Sequence, residues 1–216
     1  MVPGRCRSGA TYSMRRGLRT NRSRPIGSGA SFPFWSQSNS RSRFSQLRAG
    51  AQCQTFESAA FVWPDLQGVL KIESASFRGD AYSAEVFLEL HENCPDFFLV
   101  AKIHGSVVGY VASFLEESDA EIVSIAVDPK HRRQGIGRAL MMHMLAKLTA
   151  FGIRRVTLTV RPTNSAAMRL YSTLGFRRVR QISQYYADGS DAIEMQKVLS
   201  DATDAADASI SSGSAV

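Results

Sequence analysis

Residues Ile125–Leu140 read IAVDPKHRRQGIGRAL, and this stretch concentrates the residue types best able to hold an anion. Gly135 and Gly137 lack a Cβ, so the backbone can turn sharply there and lie close to a ligand. An apolar helix is expected to follow, and the N–H groups of its first turn have no intrahelical partners. Together with the helix dipole they favour negative charge at that end. Arg132, Arg133 and Arg138 add fixed positive charge. The combination suits a pyrophosphate. It is not a P-loop, because no Lys-Ser or Lys-Thr pair follows these glycines. Nor is it a dinucleotide fingerprint, whose third glycine position is Leu140 here.

The elements that must position this loop follow from hydrophobic periodicity. Gln52–Phe56 reads as a short first strand. Asp65–Ser76 places Leu66, Val69, Leu70 and Ile72 on one helical face, and Ser83 is expected to cap a second helix carrying Val86, Phe87 and Leu90. Phe97–Ile103 reads as a strand, His104-Gly105 as a turn, and Val107–Leu115 as the antiparallel partner. Glu121–Val127 is a further strand ended by Asp128-Pro129. Leu140–Phe151 is an apolar helix stopped by Gly152; Val156–Val160 is a β-branched strand; Ser165–Leu174 is a helix ended by Gly175. Arg177–Tyr185 and Ala192–Leu199 form a closing hairpin about Asp188-Gly189. The order β-α-α-β-β-β-α-β-α-β-β implies an α/β fold, a mixed sheet with helices on both sides.

These residues resemble a known family. Arg132-Arg133-Gln134-Gly135-Ile136-Gly137 is similar to the R/Q-x-x-G-x-G/A loop of the GNAT superfamily of acetyl-CoA-dependent N-acyltransferases. LTVRPTNSAAMRLYSTLGF (Leu158–Phe176) resembles that family's strand, asparagine-capped helix and LYxxxGF ending. The hairpin YYADGSDAIEMQKVL (Tyr185–Leu199) resembles the branch that acetylates protein N-termini, the ribosomal-protein-alanine N-acetyltransferase (RimI) type. The resemblance spans Gln52–Leu199. It implies the GNAT acyl-CoA N-acyltransferase fold, with a mixed, mostly antiparallel central sheet flanked by helices.

Several site roles follow from the resemblance. Acetyl-CoA is the implied cosubstrate, and no metal is implied. Its phosphates would lie on the loop Arg132, Arg133, Gln134, Gly135, Ile136, Gly137 and Arg138, and its thioester carbonyl against backbone N–H groups of Ile125, Ala126 and Val127, an oxyanion-type arrangement. Asn164 would contact the pantetheine arm, a role compatible with capping the next helix. Tyr171 matches the family tyrosine near the CoA sulfur, a general acid for the leaving thiolate; the alternative is a core aromatic beside Leu170 and Leu174. Tyr185 and Tyr186 match hairpin tyrosines that hold the acceptor, though alternating strand aromatics also pack, and Phe77–Tyr82 lies where the family forms a substrate wall. The sequence departs from the branch at the base: the usual glutamate position is Thr159, whose hydroxyl is a poor proton acceptor near pH 7. Glu121, opening the AEIVSIAV strand, is either a replacement base or a solvated strand-end acid, and a water chain is the third option.

Composition narrows the partners. The chain has 216 residues with 26 Lys+Arg, 19 Asp+Glu and a formal charge of +7, which invites a nucleic-acid reading. The distribution removes it. Met1–Phe56 holds ten arginines and no acidic residue, while the rest holds 16 basic against 19 acidic residues, a net −3. Residues 1–50 are expected to be a disordered basic leader with transit-peptide composition, 51–199 the catalytic domain, and 200–216 a disordered acidic tail. No apolar run nears the ~20 residues of a bilayer span, so no membrane partner is expected. Cys6, Cys53 and Cys94 lack a CxxC pair, which suits a soluble protein in a reducing compartment: an organelle (plastid or mitochondrion) in a eukaryote, the cytoplasm in a bacterium. The expected activity is acetyl transfer to the N-terminal α-amine of a protein or peptide. A small amine, a lysine side chain, or a CoA-binding module without catalysis are the other readings.

Overall fold

A computed structural model of the chain describes residues 55–199. The expected leader and tail, and Gln52–Gln54 of the expected first strand, lie outside the described residues. The elements run β1 (Glu57–Ala60), α1 (Leu66–Phe77), α2 (Ala84–Asn93), β2 (Phe98–Ile103), β3 (Ser106–Glu116), β4 (Asp119–Val127), α3 (Ile136–Ala150), β5 (Arg155–Val160), α4 (Ser165–Thr173), β6 (Arg177–Ile182) and β7 (Ala192–Val198). This is the expected order, in one seven-stranded sheet ordered β1-β2-β3-β4-β5-β7-β6. All pairs are antiparallel except β4–β5.

The differences from the sequence reading are local. Among the described residues the first strand begins at Glu57, and Phe56, expected to be in it, packs against the core just before it. Ser83 occupies the N-cap of α2 but does not bond a helix N–H; its hydroxyl serves the Glu85 carboxylate and holds that carboxyl below its usual range. Helix α3 begins a full turn earlier, at Ile136, because Gly135 at its N-cap has φ +81° and needs no Leu140 to start the helix. The closing hairpin has shorter strands joined by a long loop, in which Gly189 turns back to donate to the Tyr186 carbonyl.

Each face of the sheet carries its own core. One packs α1 and α2 through Val69, Ile72, Phe87 and Leu90 onto Phe98, Val100 and Tyr110. The other packs α3 and α4 through Leu140, Met144, Leu148 and Tyr171 onto Leu99, Val111, Ile122 and Leu158. Strands β2 and β3 are buried on both faces and therefore read as continuous apolar runs. Helix α1 lies unusually close to β3, since a Cβ on Gly68 would stand 2.8 Å from the Cβ of Val107. That approach brings the buried side of α1, including Glu73, onto the sheet.

Two irregularities in β4 shape the molecule. Against β3, Ser113 pairs with Ile122 and Ala112 with Ser124, so Val123 is an inserted residue, a β-bulge. Against β5, the parallel pairing runs from Asp119↔Arg155 to Ile122↔Leu158 and stops. Beyond Ile122 the two strands diverge.

Candidate active site

The divergence of β4 from β5 opens a cleft of about 520 Å³. Val123, Ser124 and Ile125 of β4 form one wall, and Leu158, Thr159 and Val160 of β5 the other. Tyr171 and Asn164 reach it from α4 and the turn before it. Phe77, Asp80 and Tyr82 close it from the α1–α2 side, Tyr186 and Asp188 from the β6–β7 loop. The β4 edge facing the gap no longer pairs with β5, so its backbone groups are available to a ligand.

The glycine loop meets the end of β4. Asp128 accepts from the Lys130 backbone N–H at 2.8 Å and fixes the turn. Arg132 donates from Nε to the Val127 carbonyl at 3.0 Å and from a terminal nitrogen to Ser76 Oγ at 3.1 Å, tying the loop to β4 and α1. Arg138 donates to Thr173 Oγ1 at 3.2 Å, tying α3 to α4. Arg133 and Gly135 adopt left-handed backbone conformations, φ +65° and +81°. Arg132, Arg133, Gln134, Gly135 and Arg138 are exposed, whereas Ile136 is core, so it can offer a ligand only its backbone. The loop suits phosphate oxygens: open glycine backbone, a helix N-terminus and three guanidinium groups.

The other expected residues divide into those that reach the cleft and those that do not. Tyr171 lines it while only 7% exposed, and burial, then the nearby Tyr186, raise its pKa. Asn164 caps α4 by accepting from the Ala167 N–H at 3.1 Å, which uses only its carbonyl oxygen. Ile125 lines the cleft, Ala126 turns into the α1/α2 core, and Val127 packs toward the other core. Tyr186 lines the cleft; Tyr185 supports it, edge-on to Tyr186 at 5.1 Å and with its hydroxyl 3.1 Å from Thr159 Oγ1. Glu121 does not line the cleft. It pairs with Phe114 and Thr157 in the zipped part of the sheet, before the two strands diverge.

Two groups escaped the sequence reading. Glu73, 1% exposed, accepts from the Tyr82 backbone N–H at 2.9 Å, from the Tyr110 hydroxyl, and from Ser124 Oγ at 3.3 Å. Its signal is its spacing: Glu73 stands four residues after Val69, a carboxylate on the apolar face of α1. The second group centres on Arg161 at the end of β5. Its guanidinium bonds Asp80 of the α1–α2 connection, bonds Asp188 of the β6–β7 loop at 2.9 Å, and stacks 3.8 Å from the Tyr186 ring centroid. Arg161 thereby ties the two outer walls together.

That tie has a measurable pH limit. The Asp188 carboxyl is pulled down to about 2 by the Ser190 hydroxyl, then the Ser190 backbone N–H and Arg161. Its folded value lies below the ordinary 3.8, so the contacts are complete above that pH and are lost as pH falls toward 2. An NMR titration of the Asp188 carboxyl carbon should give a midpoint near 2, rising in Arg161→Met. A midpoint near 3.8 in both proteins would show that the loop is held by other means.

Comparison with known proteins agrees with this geometry. The sequence profile of the family described as "Acetyltransferase (GNAT) family" matches residues 66–176. An N-alpha-acetyltransferase of Sulfurisphaera tokodaii is 35% identical over 148 residues, covering 62% of this chain and 88% of that protein. The [ribosomal protein bS18]-alanine N-acetyltransferase of Escherichia coli K12 is 37% identical over 100 residues, covering 45% of this chain and 68% of that protein. Among solved structures, Ard1 from Thermoplasma volcanium superposes with a TM-score of 0.64 at 31% identity, covering 67% of this chain and 98% of that one.

Proposed function

The chain belongs to the acetyltransferase (GNAT) family, and from that premise we propose that it acetylates the N-terminal α-amine of proteins or peptides with acetyl-CoA as donor. The observation that carries this reading is the β4–β5 cleft. Its β4 wall leads on into the glycine loop at the start of α3, and Tyr171, Tyr82 and Tyr186 line it. Acetyl-CoA supplies the activated acyl group. Loop residues 132–138 would hold its pyrophosphate and Asn164 its pantetheine arm, as the capping geometry leaves the Asn164 amide N–H groups to do.

The residues of the chain do the rest. The unpaired β4 edge at Val123–Ile125 offers backbone N–H donors to a polarised carbonyl. Tyr171 keeps its proton at neutral pH because burial opposes the phenolate, so it can donate to the leaving sulfur. Phe77, Tyr82 and Tyr186 flank the space left for the acceptor. The chemistry favours an α-amine. At pH 7.5 roughly a third of α-amines are neutral, against about one lysine in a thousand.

The test is thiol release from acetyl-CoA with three acceptor sets: peptides with free N-termini, N-terminally blocked lysine peptides, and small amines. Free N-termini should be preferred by at least about tenfold in kcat/KM. Preference for blocked lysine peptides or small amines would overturn the acceptor assignment, and CoA binding without thiol release would overturn catalysis. Among the described residues, no helix is long and apolar enough to cross a membrane.

A further inference from the structure

The cleft contains a carboxylate with no place in the chemistry so far. Glu73 lines it from α1, at the point where Ser124 lines it from β4. All three of its hydrogen bonds named above are accepted, from the Tyr82 N–H, the Tyr110 hydroxyl and the Ser124 hydroxyl. Donors from three separate elements thus converge on this one carboxyl group. At 1% exposure it sits beside the cleft and not in bulk water. Ser124 Oγ is also 2.9 Å from the Tyr110 hydroxyl, so a hydroxyl in the cleft wall is joined to the buried carboxylate directly and through the phenol.

We infer that Glu73 is the proton acceptor for the attacking amine, reached through the Ser124 hydroxyl, with Tyr110 as a positioning residue. The inference rests on the acetyl-transfer reading of the same cleft. It fills the place left by Thr159, whose hydroxyl is engaged with Tyr185. It also accounts for a polar residue in the otherwise apolar strand segment Ile122–Val127.

The step balances as follows. The acceptor ammonium gives one proton through Ser124 to Glu73, which returns it to solvent after turnover. The nitrogen lone pair forms the N–C bond to the acetyl carbon as the C–S bond breaks. Tyr171 gives its proton to the CoA sulfur and is made whole by the second proton the nitrogen sheds. The sum is one amide, one thiol and one released proton.

The groups facing Glu73 support this direction. Tyr110 of β3 is pushed well up by burial and by the Glu73 charge, so it remains a donor. Tyr82 donates to the carboxylate from the α1–α2 connection, and Tyr171, Tyr186, Asp80, Asp188 and Arg161 line the same cleft. Arg161 is engaged by the two aspartates.

The experiment measures kcat against pH for the full chain and for Glu73→Gln, with acetyl-CoA and a peptide bearing a free N-terminus. Glutamine keeps the shape: its single oxygen can still accept from the Tyr82 N–H, while its NH2 takes the position facing the Tyr110 and Ser124 hydroxyls. Glu73→Gln should lower kcat by about 10²–10³-fold and move the acid limb of kcat upward by about one pH unit or more. Ser124→Ala, which leaves the Tyr82 and Tyr110 bonds in place, should lower kcat about tenfold with the same displacement, and Ser124→Thr should restore it. A folded Glu73→Gln with a wild-type profile overturns the inference, as does a loss of kcat with an unmoved limb, the result of a purely structural role. If Glu73→Gln does not fold, Ser124→Ala decides: a wild-type profile overturns the inference. Wild-type protein inert toward every free N-terminus would overturn the acceptor reading itself, whereas active wild type with unaltered variants overturns only Glu73.

Discussion

Tyr171→Phe is expected to lower kcat by about 10²–10³-fold while changing the KM for acetyl-CoA by less than about twofold. The substitution removes one oxygen and leaves the ring where it is. The ring of Tyr171 is 7% exposed, packs 6.0 Å from Phe176 and belongs to the α3/α4 core, and phenylalanine keeps all of that. Only the hydroxyl is lost. Its proton is held through neutral pH by burial and by Tyr186, which makes it a donor and a poor base. Without it a thiolate must leave unprotonated or wait for water. Steady-state kinetics with a peptide acceptor, beside calorimetric CoA binding, checks this. A kcat within about threefold of wild type, with CoA binding intact, would reduce Tyr171 to a core aromatic.

The second large effect concerns stability. Phe98→Ala should destabilise the protein by about 3–5 kcal/mol, the range for a fully buried aromatic, and lower Tm by about 10 °C for a domain of this size. Phe98 is 0% exposed and stands at the centre of the α1/α2 core. Its ring stacks on Phe61 at 4.1 Å and 3° and lies 5.8 Å from Phe87. Edge contacts join both Phe98 and Phe87 to Tyr110, which donates to Glu73. The cavity would therefore open beneath the proton-accepting group, and activity at a fixed temperature should fall more than the folded fraction does. Thermal unfolding followed by circular dichroism, paired with activity per folded molecule, separates the two. A loss below about 1 kcal/mol would mean that the neighbouring rings collapse into the space.

Most elements were legible because their periods are strong. Strand β4 reads as an almost continuous apolar run, α3 is stopped at Gly152 with φ +87°, and α4 has an asparagine cap that does bond its helix. The glycine loop was legible because glycine, arginine and a helix start each point to an anion. What could not be read is pairing between distant segments. Glu73 belongs to the site only because Gly68 lets α1 press onto β3, and no local pattern announces a partner 51 residues away in Ser124. Arg161 likewise acquires its role from Asp80 and Asp188, one far before it and one after it. Glu121 was drawn toward the site by its place at the opening of the AEIVSIAV strand, but it pairs with Phe114 and Thr157 where β4 and β5 are still joined.

The inserted residue has an architectural consequence. A regular strand would carry Ile122 and Ile125 on opposite faces; here both reach the α3/α4 core, and Ser124 turns toward Glu73 instead. The slip falls one residue beyond the last β4–β5 pair. On its other side β4 stays paired with β3 from Gly109 to Glu116, so the opening is framed by the longest strand pairing of the sheet. Space for substrates is then a property of chain length at one position. The identity of residue 123 is free to drift among side chains that fit, whereas deleting it would rephase everything downstream and zip the gap shut.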